Sequence, residues 1–270
     1  MTAQTESRGF GRQIYGLAGI ALGILGLTFR DFAAVWQPIE NLIGGADRTV
    51  IAIIYAAGFL IAGIATLWRK TAQTGVLVLA GLHFLSVLGW IPRIAGNWRI
   101  YGTWNGFFEL FSMVVGGVIA YAVLAHRDRT VQTGRYLYAV CLLSFGAGHF
   151  TALKETAGFV PQWLPPGQMF WAVATGVFYW LAAVAIVLNI KATLAARWVT
   201  VMMFCFAVLS WGPLVLGRPE HFTFAGTVIT VTLASAAWIV ADSLARPGST
   251  ARVADPSYVQ VRSDLTNPPA

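Results

Sequence analysis

The chain has 270 residues, 57% of them hydrophobic and only 11% charged, with a mean hydropathy of +0.67. A soluble domain carries about a quarter charged residues, so a soluble globular protein is excluded. The formal charge of +7 comes from basic residues scattered singly over loops and ends, which is the pattern of a membrane protein and not of a nucleic-acid-binding face.

In chain order, residues 1–13 are polar and basic and read as a cytoplasmic tail. Eight apolar runs follow at 14–33, 49–68, 73–91, 105–125, 135–156, 168–190, 195–213 and 222–243. Each is close to the roughly 20 residues that cross a hydrocarbon core of about 30 Å. The first and fifth are the least apolar, carrying polar residues toward their ends. Residues 247–270 are rich in Pro, Ser and Asp without periodicity and read as a disordered cytoplasmic tail. The expected fold is all-α, with eight transmembrane helices and both termini inside.

Orientation follows from lysine and arginine. With the N-terminus inside, the inner side holds Arg8, Arg12, Arg69, Lys70, Arg127, Arg129, Arg135, Lys191, Arg197, Arg246, Arg252 and Arg262. The outer side holds Arg30, Arg48, Arg93, Arg99, Lys154 and Arg218. This bias predicts an inner-membrane protein with cytoplasmic ends. Cys141 and Cys205 lie far apart in apolar runs with no CxxC, so both read as buried free thiols.

The chain also repeats. A shift of 118 places Phe32 on Phe150, Ala34 on Ala152 and Gly58 on Gly176. After a three-residue slip, Val87-Leu88-Gly89-Trp90-Ile91-Pro92 falls on Val208-Leu209-Ser210-Trp211-Gly212-Pro213. This predicts two tandem four-helix units, 14–126 and 127–246. Four spans is an even number, so the units are parallel, related by a pseudo-twofold along the membrane normal.

The fifth and sixth runs carry Gly146-Ala147-Gly148-His149-Phe150, then Val160-Pro161-Gln162-Trp163-Leu164-Pro165, then Phe170-Trp171 and Thr175-Gly176. These residues resemble the bacterial DoxX-type membrane proteins. The first unit keeps the layout without the motif, having Phe29-Arg30-Asp31-Phe32 instead. DoxX-type units are known from the DoxD-type subunit of thiosulfate:quinone oxidoreductase. The resemblance therefore implies a membrane-embedded, quinone-linked redox role, with thiosulfate itself not implied.

Six residues stand out as candidates. His149 is an imidazole inside an apolar run, expected about 20 Å from the inner face. It could accept a proton or donate a hydrogen bond to a quinone-like carbonyl, or it could simply be satisfied by a neighbouring helix. Trp163 sits in the proline-stiffened loop above it. Arg30 and Asp31, at the matching shift, could form a cluster with His149 or meet solvent at the interface. Glu109 and His83 lie in adjacent runs of the first unit, where they could relay protons; alternatively Glu109 pairs with Arg93 or Arg99. Their aligned positions in the second unit are near Ile229 and Phe204, both apolar.

No Glu-x-x-His pair and no nucleotide-binding glycine loop occur, and no metal is expected. The expected function is a quinone-interacting or accessory membrane subunit working with a redox-enzyme partner. A small-molecule permease and a non-catalytic structural protein are the alternatives. Whether the chain itself catalyses a reaction is left open.

Overall fold

The structure, a computed structural model, describes residues 9–32 and 47–246. The expected tails at 1–8 and 247–270, and part of the diverged motif after Phe32, lie outside the described residues. Among the described residues the regular structure is entirely helical. The helices are α1 (Phe10–Phe29), α2 (Asp47–Leu67), α3 (Ala72–Leu88), α4 (Trp90–Asn97), α5 (Tyr101–Leu124), α6 (Asp128–Thr151), α7 (Leu153–Gly158), α8 (Gln168–Val187) and α9 (Ala192–Cys205). A π-helical turn over Phe206–Trp211 leads into α10 (Gly212–Gly217), and α11 (His221–Leu244) ends the described chain.

Among the described residues seven segments are long and apolar enough to cross a membrane: α1, α2, α3 with α4, α5, α8, α9 through α10, and α11. The expected fifth span is not among them. Its helix, α6, runs from Asp128 to Thr151, and Arg135 and His149 inside its most apolar stretch keep its hydropathy low. It is nonetheless 24 residues long and packed between α5 and α8. Helix α1 likewise starts early, at Phe10, so residues 10–13 are helix and not tail.

The third and seventh runs are longer than expected and bent. Helix α3 yields to α4 at Gly89. Pro92 is tolerated because it sits in the first turn of α4, where backbone N–H groups have no intrahelical acceptor. At the corresponding place in the later run the chain adopts the π-helical turn, followed by Pro213 in the first turn of α10. Both bends carry a tryptophan that needs a glycine opposite. A Cβ on Gly106 would lie 2.3 Å from the Trp90 ring, and one on Gly226 would lie 2.3 Å from the Trp211 ring.

Packing centres on α5 and α11. Helix α5 touches α3, α6 and α11, while α11 touches α9, α1 and α5. Small residues permit these approaches, as expected where lipid supplies no hydrophobic drive between helices. Gly116 on α5 faces Ala236 on α11, and Gly11 on α1 meets the backbone of Trp238 and Ile239 on α11. Gly134 on α6 meets Ile119 on α5.

At the basic end of the bundle, arginines cap helix C-termini. Arg12 donates to the Thr66 carbonyl, Arg135 to the carbonyl and hydroxyl of Ser243, and Arg246 to the Val123 carbonyl. Those carbonyls lie in the last turns of α2, α11 and α5, where they have no intrahelical donor. The Asp242 carboxylate accepts from the Gly11 N–H in the first turn of α1. Cys141 is buried as expected, whereas Cys205 is exposed on the bundle surface just before the π-helical turn.

Candidate functional site

His149 lies in the last turn of α6, about 32 Å along a helix that begins at Asp128. This corrects the shallower position expected from a start near Arg135. Two glycines bring α6 and α8 together there. A Cβ on Gly146 would lie 2.4 Å from the Trp180 indole, and one on Gly176 would lie 2.9 Å from the His149 Cβ. The close approach lets Trp180 Nε1 donate to the Leu143 carbonyl at 3.0 Å.

The imidazole is half-buried and oriented by α8. Nδ1 is 2.9 Å from the Ala172 carbonyl oxygen and 3.1 Å from Thr175 Oγ1. A carbonyl oxygen can only accept, so Nδ1 carries the proton and donates. Thr175 spends its own hydrogen on the Trp171 carbonyl at 2.7 Å, leaving Oγ1 as a second acceptor for Nδ1–H. The neutral ring is thereby held in one tautomer, with a lone pair on Nε2. Among the described residues no hydrogen bond ends on Nε2.

Aromatic rings frame the imidazole. Tyr179 of α8 meets it edge to face with centroids 5.4 Å apart, and Phe206 lies 6.5 Å away. Phe206 is the first residue of the π-helical turn. Such turns are rare, and many occur at functional sites. Nothing in the sequence pattern marks this one except its product, a Trp-x-Pro bend one residue later than the first bend would predict.

Further back along α6, Tyr138 is 0% exposed and its hydroxyl has no hydrogen-bond partner among the described residues. The buried Tyr15 of α1 instead donates to the Met113 carbonyl at 3.0 Å. A Cβ on Gly117 would sit 2.8 Å from the Tyr15 hydroxyl, so that approach requires glycine.

The other candidates are dispersed. Asp31 accepts from Arg48, with an N–O separation of 2.9 Å, and from the Phe32 N–H. His149 is held by α8, so the structure does not assemble an Arg30–Asp31–His149 cluster; Arg30 is the left-handed cap of α1. His83 is 3% exposed and lies between Tyr15 and Phe59, with centroids 5.8 and 5.0 Å away. Glu109 of α5 interacts electrostatically with Tyr179 of α8. Beside Glu109 on α5, Asn105 packs against Gly148, and its buried Oδ1 has no hydrogen-bond partner among the described residues.

Trp163 is 67% exposed, in a loop tied at several points. Trp171 Nε1 donates to the Pro165 carbonyl at 2.9 Å, Gln168 to the Val160 carbonyl, and Leu164 N–H to the Pro161 carbonyl. Gly167, at φ 145°, restarts the chain into α8 with a conformation that other residues rarely adopt.

The DoxX family model matches residues 130–211. The chain carries a DoxX-type domain. It runs from the second residue pair of α6 to the last residue of the π-helical turn, so His149, Thr175, Tyr179 and Phe206 all fall inside the DoxX match. No curated protein and no solved structure matches the chain. The DoxX match and the apolar helices make this a multi-pass membrane protein.

Proposed function

We propose that the chain is an eight-span inner-membrane protein of two tandem DoxX-like units, with α6 as the fifth span and the basic end in the cytoplasm. Three observations support this. The tryptophan-on-glycine contacts recur, with Gly106 and Gly226 120 residues apart. Gly116 touches Ala236, again 120 residues on, as residues astride a twofold axis do. The pairing of α1 with α11 is matched by that of α6 with α5.

Within this frame the chain binds a lipid-soluble quinol at His149. The observation that carries the reading is the fixed tautomer. With Nδ1–H committed to Ala172 and Thr175, the neutral ring offers a ligand only the Nε2 lone pair. A hydroxyl can donate to it, whereas a quinone carbonyl would oppose lone pair to lone pair. His149 is thus suited to hold the reduced form and receive one of its protons. Oxidation of a quinol releases two protons and two electrons. The second proton leaves to solvent and the electrons pass to a redox centre on a partner subunit.

The test is binding of a tail-less benzoquinol and its benzoquinone, held under anaerobic conditions, to purified protein. One neutral hydrogen bond contributes about 1 kcal/mol, so the quinol should bind roughly fivefold to tenfold tighter. In His149→Leu that preference should vanish. Equal binding of both forms to the native protein would refute the reading.

A further inference from the structure

Helix α3 starts at Ala72, just after Arg69 and Lys70, and with α4 forms a run of 26 residues to Asn97. At about 1.5 Å per residue, a hydrocarbon core of about 30 Å is crossed near Pro92. Arg93 of α4 and Arg99, just after it, therefore fall at the depth of the lipid head groups, and both are exposed. No Asp or Glu occurs between Asp47 and Glu109, and Glu109 lies about 12 Å further along α5. The other cations expected at this end have acids close by. Arg48 pairs with Asp31, Arg30 precedes Asp31, Lys154 precedes Glu155, and Arg218 is two residues from Glu220.

Among the described residues neither Arg93 nor Arg99 is held in an ion pair. Each lies over a tryptophan instead: Arg93 is 5.5 Å from the centroid of Trp90, and Arg99 is 5.0 Å from that of Trp98. A ring attracts the guanidinium without consuming any of its N–H donors. The corner between α4 and α5 is also fixed. Trp104 Nε1 donates to the Trp98 carbonyl at 2.9 Å, Thr103 Oγ1 to the Ile100 carbonyl at 2.7 Å, and the Ile100 N–H to the Asn97 carbonyl at 2.9 Å. These bonds occupy acceptors of the corner. Beside the two arginines it exposes the apolar Ile91, Trp98 and Ile100.

We infer that this corner is a docking surface for anionic phospholipid, with Arg93 and Arg99 donating to the head-group phosphate and the exposed apolar side chains meeting the upper acyl chains. Charge complementarity sets the choice of lipid. A zwitterionic head brings its own ammonium toward two unneutralised arginines, whereas a phosphatidylglycerol head does not. The inference is independent of the quinol reading.

The experiment uses full-length protein lacking Cys141 and Cys205, with a fluorophore on Gly96→Cys, where a Cβ meets nothing within 4 Å. In nanodiscs of phosphatidylcholine, its quenching is titrated with phosphatidylglycerol or phosphatidylcholine carrying a nitroxide high on one acyl chain. The phosphatidylglycerol probe should associate about tenfold more strongly. Arg93→Gln with Arg99→Gln should bring the two probes within twofold of each other at an unchanged thermal midpoint, and Arg93→Lys with Arg99→Lys should keep most of the preference. Equal quenching by both probes in the native protein would show a corner that meets lipid without selecting it, and would overturn the inference. Absence of quenching by either would overturn it too, since the corner would then stand clear of the bilayer or be covered by protein. A preference that survives in the glutamine variant would place the selectivity elsewhere on the molecule, with the same consequence.

Discussion

Ala172 and Thr175 together decide what His149 can do, because the Thr175 hydroxyl shares the Nδ1–H with the Ala172 carbonyl. Thr175→Val removes one of two acceptors while keeping the side chain's shape. The tautomer then rests on Ala172 alone, and quinol preference should fall only about twofold, against complete loss in His149→Leu. Nitrogen chemical shifts of the labelled imidazole report the tautomer directly. They should show Nδ1 protonated in the native protein at neutral pH, and a protonated Nε2 would contradict the assignment. His149 itself was legible in the sequence, since an imidazole in an apolar run calls for a reason. The tautomer was not, because it depends on backbone atoms 23 residues away whose position follows from the glycines at 146 and 176.

Tryptophan, glycine and proline set the geometry of the elements. Gly106→Ala would force a methyl into the Trp90 ring, which has Gly106 directly opposite. Overpacking of this kind costs about 1–3 kcal/mol and should lower the thermal midpoint by several degrees. Gly81→Ala on α3 meets nothing within 4 Å and should be neutral or slightly stabilising. Equal effects of the two changes would argue against the packing described. The π-helical turn allows a sharper test. Deleting Val208 removes one residue from the wide turn, which should return the run to the α-helical bend of α3 and α4. Helix content by circular dichroism should be kept while quinol preference is lost.

The recurring Trp-x-Pro was visible in the sequence, but the bends it marks and the register between the two stretches were not. A single shift of 118 pairs Gly58 with Gly176, whereas the contacts pair residues 120 apart in later helices. Gly11 and Gly134, each meeting the neighbouring half, are 123 apart. On the proposed tandem-unit reading, a repeat interrupted by loop-length changes and an extra residue in one turn has no constant offset, so a rigid shift matches only fragments.

At the scale of the whole molecule, the topology has a direct test. In a background lacking Cys141 and Cys205, single cysteines at Asn97, Gly158 and Gly217 should react with a membrane-impermeant maleimide from outside intact cells. Cysteines at Lys70, Arg127 and Lys191 should react only after permeabilisation. The pair Arg127 and Gly158 brackets α6, so labelling of both from one side would remove it from the spans and leave seven.

The central place of α11 also bears on how the protein is made. Spans enter the membrane in the order of synthesis, yet α1, the first of the described helices, packs against α11, the last of them. Until the final helix emerges, the Gly11 face of α1 and the Gly116 face of α5 have no protein neighbour in this chain. Assembly therefore cannot finish half by half. A chain stopped after Gly217 should insert but be degraded rapidly, and supplying residues 218–270 as a separate polypeptide should restore its lifetime. Among the described residues α11 closes the fold, so α1 finds its partner only once α11 has been made.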